Sequence, residues 1–275
     1  MVLGNYIGTN ASGDDLGNDV GIGIYNSASS NTIGGTGNAA NTIGFNLDDG
    51  IDIAGSGATG NMVLGNYIGT NASGANLGNG GGIAISEASN NTIGGAGNSA
   101  NTIGFNSDGI DIESGATGNM VLGNYIGTNA SGDKLGNSEG VVIEYSASNN
   151  TIGGAGNAAN TIGFSSDGID ITGSGATGNV VLGNYIGSNA SGDNLGNGDV
   201  GVLISDAPSN TIGGANTIGY NGTGIDITGS GATGNVVQGN FIGTDTEQEI
   251  RASCERLERA TRGIGDPRVS FQVHF

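Results

Sequence analysis

Carboxylates are the reactive groups this sequence supplies in quantity. Nineteen of its 25 Asp and Glu residues lie within residues 1–244, where Lys134 is the only base and neither Arg nor His occurs. Asp52, Asp111, Asp170 and Asp226 occupy one place in a recurring Gly-Ile-Asp-Ile block, and Glu113 and Glu144 fall two places beyond the equivalent position in adjoining copies. Asp111, Glu113 and Glu144 are therefore expected to converge. Three carboxylates at one point suit a hard, oxygen-seeking ion such as calcium. Simple solvated acids are the competing reading, and the glycine-rich nonapeptide of calcium-binding repeats is absent.

Acid–base catalysis is the other chemistry that paired carboxylates offer. The Asp column recurs only in every second turn of the chain, which predicts a separation of about 9.6 Å, twice the strand spacing. That lies at or beyond the ~6.5–9.5 Å of inverting glycosidases. The column is also regular, whereas an active site is expected to break a pattern. Asp14-Asp15 and Asp48-Asp49 sit at turns, where Asp is ordinary. Asp residues on a hydrated outer face are expected to keep ordinary acidity, so the reading is non-catalytic. Lys134 stands where other copies have Asp15, Asn76 and Asn194, and is expected to be a solvated loop residue.

Aromatic residues give the second candidate site. Tyr67, Tyr125, Tyr185 and Phe241 alternate with Thr42, Thr102, Thr161 and Thr217. An outward Tyr column suits stacking on the apolar faces of sugars, so Tyr67, Tyr125 and Tyr185 are a candidate glycan platform. The competing reading is the ordinary preference of Tyr and Thr for strands. A net charge of −19 excludes nucleic acid and anionic lipid as natural partners, since both demand a basic surface. No apolar run is long enough to insert into a membrane.

These residues are set by a repeat. Asn-Tyr-Ile-Gly recurs at Asn5, Asn66, Asn124 and Asn184, with Asn-Phe-Ile-Gly at Asn240. Asn-Thr-Ile-Gly appears twice in each interval, and Gly-Ile-Asp-Ile at Gly50, Gly109, Gly168 and Gly224. Its counterpart half a unit away begins at Gly21, Gly82, Gly140 and Gly201. Each half-unit thus carries three short β-branched strand signals bounded by Gly, Asn and Ser, too short for independent hairpins. Three such strands closing a coil that stacks on the next give an all-β, right-handed, three-sided parallel β-helix of eight to nine coils. Glycine, 59 of 275 residues, would otherwise suggest disorder.

Period-two alternation predicts the core. Ile51, Ile110, Ile169 and Ile225 should stack as one buried column, with Ile33, Ile43, Val63 and Ile68 also inward. Phe45, Phe105, Phe164 and Tyr220 are expected to fill an interior corner in alternate coils, with Thr9, Thr70, Thr128 and Ser188 in that place in the others. Asn opens two of the three strands in nearly every coil, predicting two amide ladders. Leu16, Leu77, Leu135 and Leu195 are expected to tuck inward and pin four stacked loops.

The train Gly-Asn-x-Val-x-Gly-Asn-Tyr-Ile-Gly-Thr, seen at Gly178–Ser188 and Gly234–Thr244, resembles right-handed parallel β-helix repeats of large bacterial secreted and surface proteins. The resemblance covers residues 1 to about 244 and implies the pectin-lyase-like fold. That fold hosts lyases, hydrolases, epimerases, tailspikes and adhesins, so it leaves activity open. Enzymes of the family that act on uronates use Arg, Lys, His or Tyr, and residues 1–244 hold no Arg and no His. The expectation is a structural or glycan-binding stalk of an extracellular or cell-surface protein, meeting glycans or other surface proteins, requiring no cofactor and able to take calcium. The alternative is a carbohydrate-active enzyme. Residues 1–8 already read as part of a repeat, so the N-terminus is expected to cut through a longer array, with export signal and cap missing.

Residues 245–275 differ in composition, holding five of six basic residues and the only Cys and His, so no internal disulfide is available. Thr246 and Glu249 have capping-box spacing before a helical stripe, and Val269, Phe271, Val273 and Phe275 alternate as a strand does. Two readings stand: an amphipathic cap on the last coil, or sequence unrelated to the repeat.

Overall fold

The computed structural model of the protein describes residues 1–243. The calls made on the tail 245–275 lie outside the described residues. Twenty-five strands of two to six residues form three sheets of nine, eight and eight strands, every pairing between named strands parallel. Chain order runs sheet I, sheet II, sheet III and back to sheet I one layer higher, so consecutive strands never pair and each sheet is built from every third strand. This is the expected three-sided parallel β-helix. Eight layers hold one strand from each sheet and Phe241–Ile242 follows; about seven turns separate the first layer from the last, slightly fewer than the eight to nine coils expected.

The core consists of like residues stacked on like. On sheet II the register places Ile22, Ile51, Ile83, Ile110, Val141, Ile169, Val202 and Ile225 in one file. Ile51, Ile110 and Ile169 are fully buried, and Ile225 in the last layer packs against the core while partly exposed. Burying a side chain of this size contributes ~1.5–3 kcal/mol, which is how strands of two residues persist in a chain with so little aromatic content.

Asparagine supplies the polar half of the interior. In two ladders the backbone N–H and Nδ2–H of one Asn both donate to Oδ1 of the Asn one layer on. One runs Asn5, Asn41, Asn66, Asn101, Asn124, Asn160, Asn184. The other runs Asn31, Asn61, Asn91, Asn119, Asn150, Asn179. Both are the expected ones. A third ladder, which sequence reasoning missed, occupies the corner after sheet I: Asn18, Asn46, Asn79, Asn106, Asn137, then Ser165, Asn197 and Asn221.

That third ladder corrects the interior-corner expectation for the aromatics. Phe45, Phe105, Phe164 and Tyr220 do not enter the bore: they adopt left-handed backbone, with φ of 60°, 64°, 60° and 61°, and are half-buried or exposed. The turn throws each ring outward, and the next residue, Asn or Ser, takes the corner. Thr9, Thr70, Thr128 and Ser188 are buried as expected, and the three Thr hydroxyls donate to loop carbonyls of Asp14, Ala75 and Asp133. Leu77, Leu135 and Leu195 are buried, but Leu16 is 57% exposed. In the others the leucine backbone lies over the layer below, where Leu77 and Leu135 accept from the N–H of Phe45 and Phe105; Leu16 belongs to the first layer and has no such surface beneath it.

Candidate functional site

The outward face of sheet II collects the carboxylates. Its files are set by register: Asp108 faces Glu139, which faces Asp167, while Asp111 and Asp170 flank Val142. Glu113 ends the strand Asp108–Glu113, and the N–H of Glu144 donates to the carbonyl of Ile112, so Glu113 and Glu144 are neighbours across adjoining strands. On this face layers 4 to 6 thus hold seven acids: Asp108, Asp111, Glu113, Glu139, Glu144, Asp167 and Asp170. Asp49 and Asp52 continue the patch in layer 2.

Within it, Asp111, Glu113 and Glu144 each bring a carboxylate oxygen to within 4.8 Å of the other two, all three half-buried. The expected convergence is present. Oδ1 of Asp111 is buried and has no hydrogen-bond partner. Other acids of the patch are better supplied. Asp170 accepts from the Thr172 hydroxyl at 2.6 Å, Glu139 Oε2 from the N–H of Asp167 at 3.1 Å, and Asp167 Oδ1 from the N–H of Val200 at 2.8 Å.

Burial and mutual repulsion act together on these groups. Asp111 is pushed up to about 7, first by desolvation and then by the charges of Glu113, Glu144, Asp108 and Asp49. Desolvation also leads in lifting Glu139 to about 7 and Asp49 to about 6, with like charges adding. Asp52, Asp108, Glu144 and Asp170 are raised chiefly by burial. The expectation of ordinary acidity is overturned. It treated each outward Asp as isolated in water, whereas the register sets acids side by side on a face that half-buries them. The Asp column was also expected to repeat at two-layer intervals and nowhere else; Asp108, Glu139 and Asp167 place carboxylates on adjoining layers, so the spacing objection to acid–base chemistry does not hold across the whole face.

Nothing on the chain neutralises this patch among the described residues. Lys134 is an exposed loop residue, as expected, and its Nζ lies 5.8 Å from the ring centroid of Phe164, a cation–π contact on the loop ridge.

Tyr67, Tyr125 and Tyr185 lie on sheet I, each half-buried between Thr residues of adjoining layers: Thr42 and Thr102 for Tyr67, Thr102 and Thr161 for Tyr125, Thr161 and Thr217 for Tyr185. Successive rings are therefore about 9.6 Å apart along the axis. A shallow groove of about 220 Å³ opens beside the start of this column, lined by Tyr6, Asn10, Ala11, Thr42, Asn71 and Leu77 among others. A wider hollow of about 570 Å³ lies at the first layer, around Val2, Ile7 and Ile22. Neither is lined by a carboxylate. No helix among the described residues is long and apolar enough to cross a membrane.

No protein-family model matches the sequence, and no curated protein matches it. Among solved structures, the crystal structure of a mutant of the periplasmic alginate epimerase AlgG is similar, with a TM-score of 0.56 and 17% identity over 83% of this chain and 48% of that one. This likeness shows the parallel β-helix fold. The chain spans about half the length of that structure.

Proposed function

We propose that this protein is a non-catalytic rod of an extracellular or cell-surface protein, a spacer or adhesin-type module that binds calcium on its acidic face and meets glycans through its tyrosine column. The observation that carries the reading is the convergence of Asp111, Glu113 and Glu144 beside an unpartnered, buried Asp111 Oδ1. A divalent cation offers oxygen ligands the positive charge that Lys134, on another ridge, does not provide. Bound there, calcium would be held by these three side chains and would offset the repulsion along layers 4 to 6. The half-buried Tyr67, Tyr125 and Tyr185 present edges and faces at an interval suited to an extended sugar chain.

A carbohydrate-active enzyme is the second reading. It is favoured by one observation: Asp111 and Glu139 both titrate near 7, the range in which a carboxyl serves as general acid or base at neutral pH. A glycan array followed by product analysis separates the two. Binding that disappears in Tyr67→Ala, Tyr125→Ala and Tyr185→Ala, without new reducing ends, unsaturated products or altered sugar stereochemistry, supports the rod. Turnover abolished by Asp111→Asn or Glu139→Gln would replace it with the enzyme.

A further inference from the structure

The third asparagine ladder breaks at a single step. From Asn18 to Asn137 each residue donates both its backbone N–H and its Nδ2–H to the next Oδ1, at 2.8–3.2 Å. The next position is Ser165, and neither bond is made there. Asn137 still accepts both bonds from Asn106 but donates only one, from Nδ2 to the carbonyl of Ile103 at 3.3 Å, while its backbone N–H has no acceptor among the described residues. Ser165 donates its own N–H onward to Asn197 Oδ1 at 3.1 Å, but its hydroxyl is buried and unpartnered. Ser165 is 4% exposed and Asn137 6%.

We infer that this step is a binding site for one buried water molecule. Its occupant must accept from Asn137 N–H and Nδ2–H and bond the Ser165 hydroxyl, which gives three partners, the number typical of an internal water. The space suits it. A Cβ placed at Gly127 would meet Ser165 Oγ at 3.3 Å, whereas at the equivalent Gly8 it would meet Asn46 Oδ1 at 2.6 Å, so the serine oxygen is drawn back from where the amide oxygen stands. Replacing a carboxamide by a hydroxyl vacates a volume comparable to the ~30 Å³ of a water in the liquid. Charge selects the chemistry. Two donors aimed at one point exclude a cation, and Glu139 and Asp167, each two residues along from the site, disfavour an anion. A neutral molecule that both accepts and donates is left.

A crystal structure of the full chain at a resolution that shows ordered water tests this directly. The expected result is a peak within hydrogen-bond distance of Asn137 N and Ser165 Oγ. Ser165→Asn should expel it, rebuild the ladder and raise Tm by about 2–4 °C, while Ser165→Ala should lower Tm by removing one of the water's partners. An unoccupied site, with Asn137 turned toward other acceptors, would overturn the assignment. So would a Ser165→Asn protein of unchanged circular dichroism that melts at or below the parent. Should that variant fail to fold, the peak in the parent crystal decides alone.

Discussion

Replacing Asp111 by Asn should stabilise this protein, increasingly so as pH rises from near 4 to near 7 and fully above that. The carboxyl titrates at about 7 in the folded chain against an ordinary value of 3.8. A folded-state value above the unfolded one means that the native chain holds the proton more tightly, so stability falls as pH rises from near 4 to near 7. Three units correspond to roughly 4 kcal/mol, an upper figure that partial solvation and salt reduce to about 2–4 kcal/mol. Asparagine keeps the shape, carries no charge and offers an N–H to the Glu113 and Glu144 carboxylates. In chelator at low salt, Asp111→Asn should melt about 5–10 °C above the parent at pH 8.5, with the difference closing by pH 4. Scanning calorimetry at four or five pH values reads this. A variant that is equal or less stable at pH 8.5, or a difference independent of pH, would refute the account of a desolvated, repelled carboxylate.

Other outcomes follow from the packing. Asn101→Ala should cost about 3–5 kcal/mol in urea denaturation, because it strands the buried N–H and Nδ2–H donors of Asn66; Asn10→Ala, in an exposed loop, should cost under about 1 kcal/mol. Ile110→Ala removes a fully buried file member and should cost about 2–5 kcal/mol. The triple Tyr67, Tyr125 and Tyr185 to Ala protein should retain its far-ultraviolet circular dichroism while losing retention on glycan arrays.

Much of this was legible because a β-helix writes its core into a repeat. Gly-Ile-x-Ile alternates in and out by two, and the Ile51, Ile110 and Ile169 file is where that alternation places it. The third ladder was hidden because its members sit in unlike settings: Asn46 three positions past Ile43, but Asn79 beyond the long loop that follows Ile68. Phe45 misled for a related reason. Counting by two from Ile43 assumes that the strand continues, whereas it ends at Ile43 and the chain turns left-handed. At the candidate site the convergence of Asp111, Glu113 and Glu144 could be read from half-unit offsets. The Asp108, Glu139 and Asp167 file could not, since it lies at the ragged strand start where Asp49 faces Gly81 and the motif has no fixed letter. Acidity shifts were beyond reach, because they arise first from how far each carboxyl is buried on this face and then from like charges on its own and adjoining strands.

Calcium titration of the chelated full-length chain by calorimetry, run at pH 7 and pH 8.5 in two buffers of different ionisation enthalpy, tests the cation site most directly. The account predicts saturable binding in the ~0.1–1 mM range, with proton release at pH 7 that fades at pH 8.5 as Asp111 is already ionised. Both effects should be lost in Asp111→Asn. Heats no larger than those of sodium chloride at matched ionic strength, or binding untouched by the substitution, would contradict it.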